Sequence, residues 1–289
     1  MEIPQIPTIR ALPPRGGDGQ ETAPPPGWRP WTLPTLYASQ AVIVMTSQWQ
    51  NFLRNQGEWH GSFATINLAG EIEKESASVL SLESAEEDRL VRFRLRRFGP
   101  EGKGAAPISD LQQDYRSLGS QAVFFASGTF CKGSLQLAPQ TPFAAEYGFI
   151  DANRRHRLVQ LYDVAGRPSS LVLIREFRAG SGASERPPLE AEHLLGHWRG
   201  VRATVSADWA EPELSECSTS FAGSDLEAAQ LLPDGGYSRR PDQVSHREAF
   251  SVEAGWLSGP DRLERLVRSY DASGAWLSAC HEQLNRHGG

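Results

Sequence analysis

Cysteine is scarce in this chain, and what little there is excludes several chemistries. Cys131, Cys217 and Cys280 show no CxxC spacing, and no HxH, HExxH or spaced Cys/His cluster accompanies them, so a metal centre is not expected. The odd count fits a reduced cytosolic setting more simply than a disulfide framework, with a Cys217–Cys280 bridge left open. No apolar run approaches the ~18 residues of a membrane-spanning helix. Met1-Glu2-Ile3-Pro4-Gln5 has neither a basic n-region nor an apolar h-region, so export is not signalled and a cytoplasmic location is expected. Cationic excess is also missing: the net charge is -6 and the pI about 5.7, which argues against binding a phosphate backbone. The absence of Gly-x-Ser-x-Gly and of a P-loop removes the commonest hydrolase and nucleotide readings.

What the chain does have is duplication. Phe143-x-x-Glu146-x-Gly148-Phe149-Ile150 is answered by Phe250-x-x-Glu253-x-Gly255-Trp256-Leu257. Arg157-Leu158-Val159-x-x-Tyr162-Asp163-x-x-Gly166 is answered by Arg265-Leu266-Val267-x-x-Tyr270-Asp271-x-x-Gly274. Upstream, Gly57-x-Trp59-x-Gly61 returns as Gly196-x-Trp198-x-Gly200. Three segments recurring in one order mean two copies of one domain. The 289 residues accommodate two domains of roughly 110 to 145 residues, each able to form a core without staples.

Residues 1–39 read as a disordered, proline-rich tail, because a segment holding Pro24-Pro25-Pro26 and glycines at 16, 17 and 19 cannot offset its ordering entropy. The spacing of Trp49, Phe52 and Leu53 predicts a short amphipathic helix before Gly57. After it come eight short strands: 59–68, 77–82, 89–98, 121–126, 129–137, 143–150, 156–164 and 169–178, with a long connection over 98–118 that only the first copy has. Such a meander closes on itself to remove its edges. The expected division is a first barrel over 40–179, a linker over 180–188 containing Gly180-Ser181-Gly182, and a second barrel over 189–289.

A helix, Gly-x-Trp at the head of the first strand and an antiparallel meander together resemble the lipocalin or calycin pattern. Phe143-Ala144-Ala145-Glu146-Tyr147-Gly148-Phe149, Arg155-His156-Arg157-Leu158-Val159-Gln160-Leu161-Tyr162-Asp163 and Leu173-Ile174-Arg175-Glu176 resemble a cyanobacterial and plastid family of unknown function built from two lipocalin-like domains. The likeness covers roughly 40–285. More remotely, the chain is similar to the calycin-fold lyases that attach bilins to phycobiliproteins. The resemblance implies an all-β fold of two tandem barrels, a photosynthetic setting that could include the periphery of thylakoid membranes, and a bilin or other tetrapyrrole as candidate cofactor.

Within that frame Trp59 and Trp198 are structural plugs, with Arg175 or Arg178 stacking on the first, and Tyr162 and Tyr270 are their structural companions at strand ends. Candidate ligand-binding residues are Arg175, Glu146, Phe93 and Tyr147. Glu146 lies three positions beyond Phe143 and so faces away from it; pointing into a barrel it has a raised pKa and acts as a proton donor, whereas on a solvated face it pairs with Arg157, as Glu253 pairs with Arg265. Arg92, Arg94 and Arg96 alternate with Val91, Phe93 and Leu95, and because three unpaired arginines cannot be buried, the apolar set is expected inward. The second copy sets Ala279-Cys280-His281-Glu282 against Leu173-Ile174-Arg175-Glu176, which aligns His281 with Arg175.

Three functions follow. The first is binding of a hydrophobic small molecule, a pigment or lipid-like ligand, in the first barrel. The second is a structural or assembly factor with filled barrels, serving a photosynthetic or phycobilisome complex. The third is a lyase or isomerase acting on a bound pigment with Glu146 as acid.

Overall fold

The computed structural model describes residues 46–208 and 211–287; the expected tail lies outside them. The chain from Ser47 begins as predicted, with α1 (Gln48–Leu53) closed at its start by a capping box in which the Ser47 hydroxyl accepts from the Gln50 amide and the Gln50 side chain accepts from the Ser47 amide. Nine strands follow: β1 (Gly57–Ile66), β2 (Ile72–Ala85), β3 (Leu90–Arg97), β4 (Ser109–Tyr115), β5 (Ala122–Phe124), β6 (Phe130–Gly133), β7 (Phe143–Asp151), β8 (Arg154–Tyr162) and β9 (Pro168–Arg178). They form one curled antiparallel sheet in the order β4-β3-β2-β1-β9-β8-β7-β6-β5. The second copy contributes β10 (Gly196–Ser206), β11 (Glu213–Phe221), a short helix α2 (Gly223–Glu227), β12 (Ala229–Leu231), β13 (Gly236–Arg239), β14 (Phe250–Gly259), β15 (Arg262–Tyr270) and β16 (Trp276–His287), ordered β11-β10-β16-β15-β14-β13-β12. The two sheets follow one topology, so the repeat is a repeat of structure, and the chain is two tandem half-barrels.

One strand was not expected. β4 lies within 98–118, the stretch read as a connection, and its Ser-Asp-Leu-Gln-Gln-Asp-Tyr sequence has only Leu111 and Tyr115 to signal a buried face. It is an edge strand held by backbone pairing to β3 and by the Arg94–Asp110 ion pair at 2.7 Å. Arg92 and Arg94 are exposed while Val91 is buried and Phe93 and Leu95 pack against the core, so the expected facing of β3 holds.

Side chains close the first half-barrel. Phe52 of α1 touches Tyr115 on β4 and Phe124 next to it in space on β5, at ring centroid distances of 5.8 and 5.1 Å, and so bridges the two ends of the sheet. Under α1 lies Trp59, wholly buried, its indole N–H donating to the Asn55 carbonyl at 3.0 Å and the Arg178 guanidinium stacked 4.3 Å from its ring. Trp198 repeats the arrangement with Leu194 and Arg286, at 2.8 and 4.4 Å. The flanking glycines have physical reasons. Gly57 and Gly196 adopt φ of +119° and +107°, and a Cβ on Gly61 or Gly200 would lie 2.0 or 1.8 Å from the carbonyl oxygen of Arg175 or Gln283 on the neighbouring strand.

The opposite faces of the two sheets pack against each other in one shared core containing Phe143, Tyr147, Phe149 and Leu158 from the first copy and Val252, Trp256, Leu266 and Tyr270 from the second. Its polar contacts are reciprocal. The Leu137 amide donates to the Gly274 carbonyl and the Val244 amide to the Gly166 carbonyl, each at 2.8 Å. Gln160 reaches Ser238 at 2.9 Å, and Arg268, its counterpart, reaches the Cys131 sulfur at 3.5 Å. Each Asp-x-x-Gly turn is therefore both a local cap, with Asp163 Oδ1 accepting the Ala165 amide and Asp271 Oδ1 the Ser273 amide, and a docking point for the other copy.

Trp59→Ala and Trp198→Ala are each expected to destabilise the protein by about 3–5 kcal/mol, the usual range for deleting a buried aromatic ring. Because the central core is shared, denaturant melts should show one transition in both variants. Two separated transitions, one unaffected by the substitution, would refute the shared core.

Candidate functional site

The concave face of the first sheet carries charge where a filled apolar barrel would not. β8 alternates so that His156, Leu158 and Gln160 face the second copy while Arg155, Arg157 and Val159 face inward. From β7, Glu146 points the same way, and its carboxylate accepts from Arg157. From β9, the wholly buried Glu176 stands 3.4 Å from both Arg155 and Arg157. Arg155 also lies 5.0 Å from the Trp59 ring. The second copy builds the same group from Glu253, Arg265 and Glu282, with two Arg265–Glu253 hydrogen bonds of 3.1 and 2.9 Å and one Arg265–Glu282 bond of 2.9 Å. Tyr237 donates its hydroxyl to Glu253 at 2.7 Å. Gly255 makes room for the Tyr237 ring, as Gly148 does for Phe130: a Cβ there would lie 2.0 Å and 2.1 Å from the respective rings.

The two strand pairs share one register, and the groups differ in where the second carboxylate sits, two residues further along the strand in the first copy. Arg265 lies directly across from Glu282, whereas Arg157 lies across from Ile174 and meets Glu176 diagonally. The same pairing corrects the sequence alignment of Arg175 with His281. Arg175 pairs with His156 and Ser62, the place Gln283 takes opposite Glu264 and Val201, while His281 takes the place of Leu173. The two hairpins are of equal length, Tyr162 pairing with Pro168 and Tyr270 with Trp276, so the four-residue match set the strands two residues out of step.

Electrostatics decide the role of Glu146. Burial works to raise its pKa, but Arg157, Lys132 and the Arg157 hydrogen bond outweigh it, so the carboxyl titrates below its ordinary range. Of the two expectations for Glu146, the pairing with Arg157 is the one the structure shows, and the raised pKa is overturned: the carboxyl is ionised at neutral pH. Burial, opposed by Glu176, pushes the Arg155 guanidinium down to about 10, leaving it charged at neutral pH. Burial also raises the Tyr115 hydroxyl, with the Glu146 charge adding to it.

The other candidates do not gather around Glu146. Phe93 lies on the concave face against Tyr115, with centroids 6.0 Å apart. Tyr147, next in sequence to Glu146, points the opposite way into the core between the sheets, its hydroxyl 3.3 Å from Gln160. Arg175 is buried on that same side, and its terminal nitrogens are taken by Glu75 and Glu185. Tyr162 and Tyr270 both enter the intersheet core. Arg155, Glu176 and Glu282 join the group without being among the residues the sequence singles out; the Arg-x-Arg alternation at 155 and 157 is the signal the sequence carries for it. All three cysteines are free, Cys131 wholly buried. Among the described residues no group of three or more His, Cys, Asp or Glu side chains is arranged to hold a metal ion, and no helix is long and apolar enough to cross a membrane.

Two family models match. Residues 45–181 match the N-terminal model of a domain of unknown function, DUF3598, and residues 215–286 match the C-terminal domain of Biogenesis factor required for ATP synthase 1. Among solved structures, a DUF3598-family protein of unknown function from Nostoc punctiforme is 34% identical over 84% of this chain and 100% of its own, with a TM-score of 0.74. An S-type phycobiliprotein lyase from Guillardia theta is 11% identical over 83% of this chain and 92% of its own. Its TM-score is 0.17. No curated protein matches.

Glu146→Gln leaves Arg157 with only the longer Glu176 contact and is expected to cost about 3 kcal/mol at neutral pH, the lower end for breaking a buried pair. Since the folded pKa of Glu146 lies below its unfolded value of about 4.3, its contribution is complete above that pH and is lost as pH falls through the folded value. Thermal melts of wild type and variant should therefore converge on acidification; a gap that widens below pH 4 would contradict the assignment.

Proposed function

The chain belongs to the DUF3598 family, and from that premise we propose that it is a non-catalytic assembly factor of two domains, 40–179 and 189–289 joined by 180–188, that aids biogenesis of a rotary ATP synthase in a cyanobacterial-type cell. The observation that carries this reading is the filling of the concave faces. The face expected to receive a pigment is occupied by Phe52, Trp59, Leu80, Leu82, Phe124 and Phe130 packed on one another. Its charges are ion-paired internally, and its one candidate acid is an ionised, paired carboxylate. A barrel filled with its own side chains acts through its outer surface. The match of 215–286 to a domain named for an ATP synthase biogenesis factor supports the choice of complex. The first copy adds the β3–β4 hairpin, whose edge strand is polar and largely exposed, a surface suited to partner contact.

Deleting the gene from its host should lower the amount of assembled ATP synthase on native gels while free subunits accumulate, and re-expression should restore it. Unchanged assembly in the deletion strain would overturn the proposal. An absorbance spectrum of the chain purified from a pigment-producing host separates the pigment-binding alternative: the assembly reading expects no stoichiometric visible chromophore, and a bilin band at one per chain would favour binding of a tetrapyrrole instead.

A further inference from the structure

The edges of the two sheets are protected unequally. β5 and β12 are three residues long and offer little to pair with. β4 ties Asp110 to Arg94 of its neighbour and is bridged to β5 by Phe52 of α1. β11 has nine residues, pairs with β10 from Gly196–Phe221 to Thr204–Glu213 without a bulge, and contains neither proline nor lysine. Six of the nine, residues 213–216, 218 and 220, are exposed. A long, regular edge leaves a row of backbone N–H and C=O groups as a template for a further strand, and β11 carries none of the proline, lysine or bulge devices that blunt such edges. The charges beside it say what completes the row. On the outer face of the sheet, opposite to that of Trp198, Arg199 lies across from Ser218 and Val201 across from Glu216. The Arg199 and Glu216 side chains are exposed, and among the described residues neither has an ion-pair or hydrogen-bond partner.

We infer that β11 pairs with β11 of a second copy of this chain, antiparallel about a twofold axis at Cys217. A twofold pairing that uses all nine residues has to be centred on the fifth, which is Cys217. It sets Glu216 across from the partner's Ser218 and Glu213 across from the partner's Phe221, so no like charges meet directly. Moving the axis one residue, to Glu216, would set two carboxylates face to face. The register centred on Cys217 also supplies the missing partners. Beyond the partner's Ser218 stands the partner's Arg199, two strand spacings or about 10 Å from Glu216, a gap that glutamate and arginine side chains close above a short serine. By symmetry the same contact forms twice, so both unpaired charges of each chain enter interchain ion pairs while the backbone of β11 gains its second neighbour. Cys217, which is half-buried, then faces its own counterpart. The pairing uses an edge that the docking of the two copies leaves free, and it stands or falls independently of the assembly role.

Sedimentation of the full chain over a concentration series, together with cross-linking by a short bis-maleimide, tests the pairing. Wild type should dimerise with a Kd of about 1–10 μM, the weak affinity of a small interface. The linker should join two chains through Cys217, so the cross-linked product should persist in Cys280→Ser and vanish in Cys217→Ser. Arg199→Glu and Glu216→Arg should each raise the Kd at least tenfold, because the twofold axis counts every reversal twice. Their melting midpoints should not change, since both side chains are exposed and unpaired within one chain. The double variant Arg199→Glu with Glu216→Arg should return to within about threefold of wild type, a recovery that no folding defect produces. A wild type that is still monomeric at about 100 μM, well above the expected Kd, would overturn the proposal. So would a dimer indifferent to both reversals, or interchain cross-linking that survives Cys217→Ser.

Discussion

The reciprocal contact between the two sheets is the constraint on which the rest of this molecule depends. Each copy offers the carbonyl of its Asp-x-x-Gly turn to an amide of the other, Gly166 to Val244 and Gly274 to Leu137. Each sends a long polar side chain from the same position of its penultimate strand, Gln160 or Arg268, to the other's short sixth-strand analogue. Such an interface has the logic of a twofold homodimer, in which one patch must complement itself. Once both copies present Phe143 and Phe250, Phe149 and Trp256, Tyr162 and Tyr270 to one core, the outer face of each half-barrel is committed to packing. Only the concave faces, the edges and the seam remain available for anything else.

The concave faces are not spare. A buried carboxylate and guanidinium pay desolvation that an apolar pair would avoid, and such groups are often no more stabilising than well-packed hydrocarbons. Their value here lies in register. Side chains alternate with period two, so a one-residue slip of β7 or β8 would turn Glu146 and Arg157 into the apolar core between the copies and bring Tyr147 and Leu158 out of it. The same penalty holds for Glu253 and Arg265. The ion pairs thus hold each sheet in the one alignment that lets the copies dock.

The copies diverge where docking does not constrain them. Between the second and the penultimate short strands the first has the β3–β4 hairpin and the second has α2. Divergence also shifts the second carboxylate, from Glu176 diagonal to Arg157 to Glu282 opposite Arg265.

Much of this was legible in the sequence. The duplication, the all-β class, α1, the plugging tryptophans and the outward arginines of β3 follow from motif spacing and period-two alternation, because those signals depend only on neighbours along the chain. The glycines of Gly-x-Trp-x-Gly and the Asp-x-x-Gly turns could be recognised there, although their reasons, a positive φ and a close carbonyl, needed coordinates. What lay beyond the sequence was everything that depends on two strands meeting. β4 has almost no apolar signal because its pairing is made by backbone groups, which every sequence carries. The pKa of Glu146 turned on Arg157 and Lys132, brought together by β6, β7 and β8, and its direction was opposite to that expected for a carboxylate in an apolar barrel. Tyr147, one residue away, was paired with it as a site residue yet belongs to the other face. Arg175 and His281 look equivalent in sequence and are not, since the register across the strands, the same in both copies, puts Gln283 at the place of Arg175. Sequence alone therefore determined the repeated unit and its local grammar, while the tertiary structure decided which faces touch, because contact between distant strands depends on the sum of packing over both sheets.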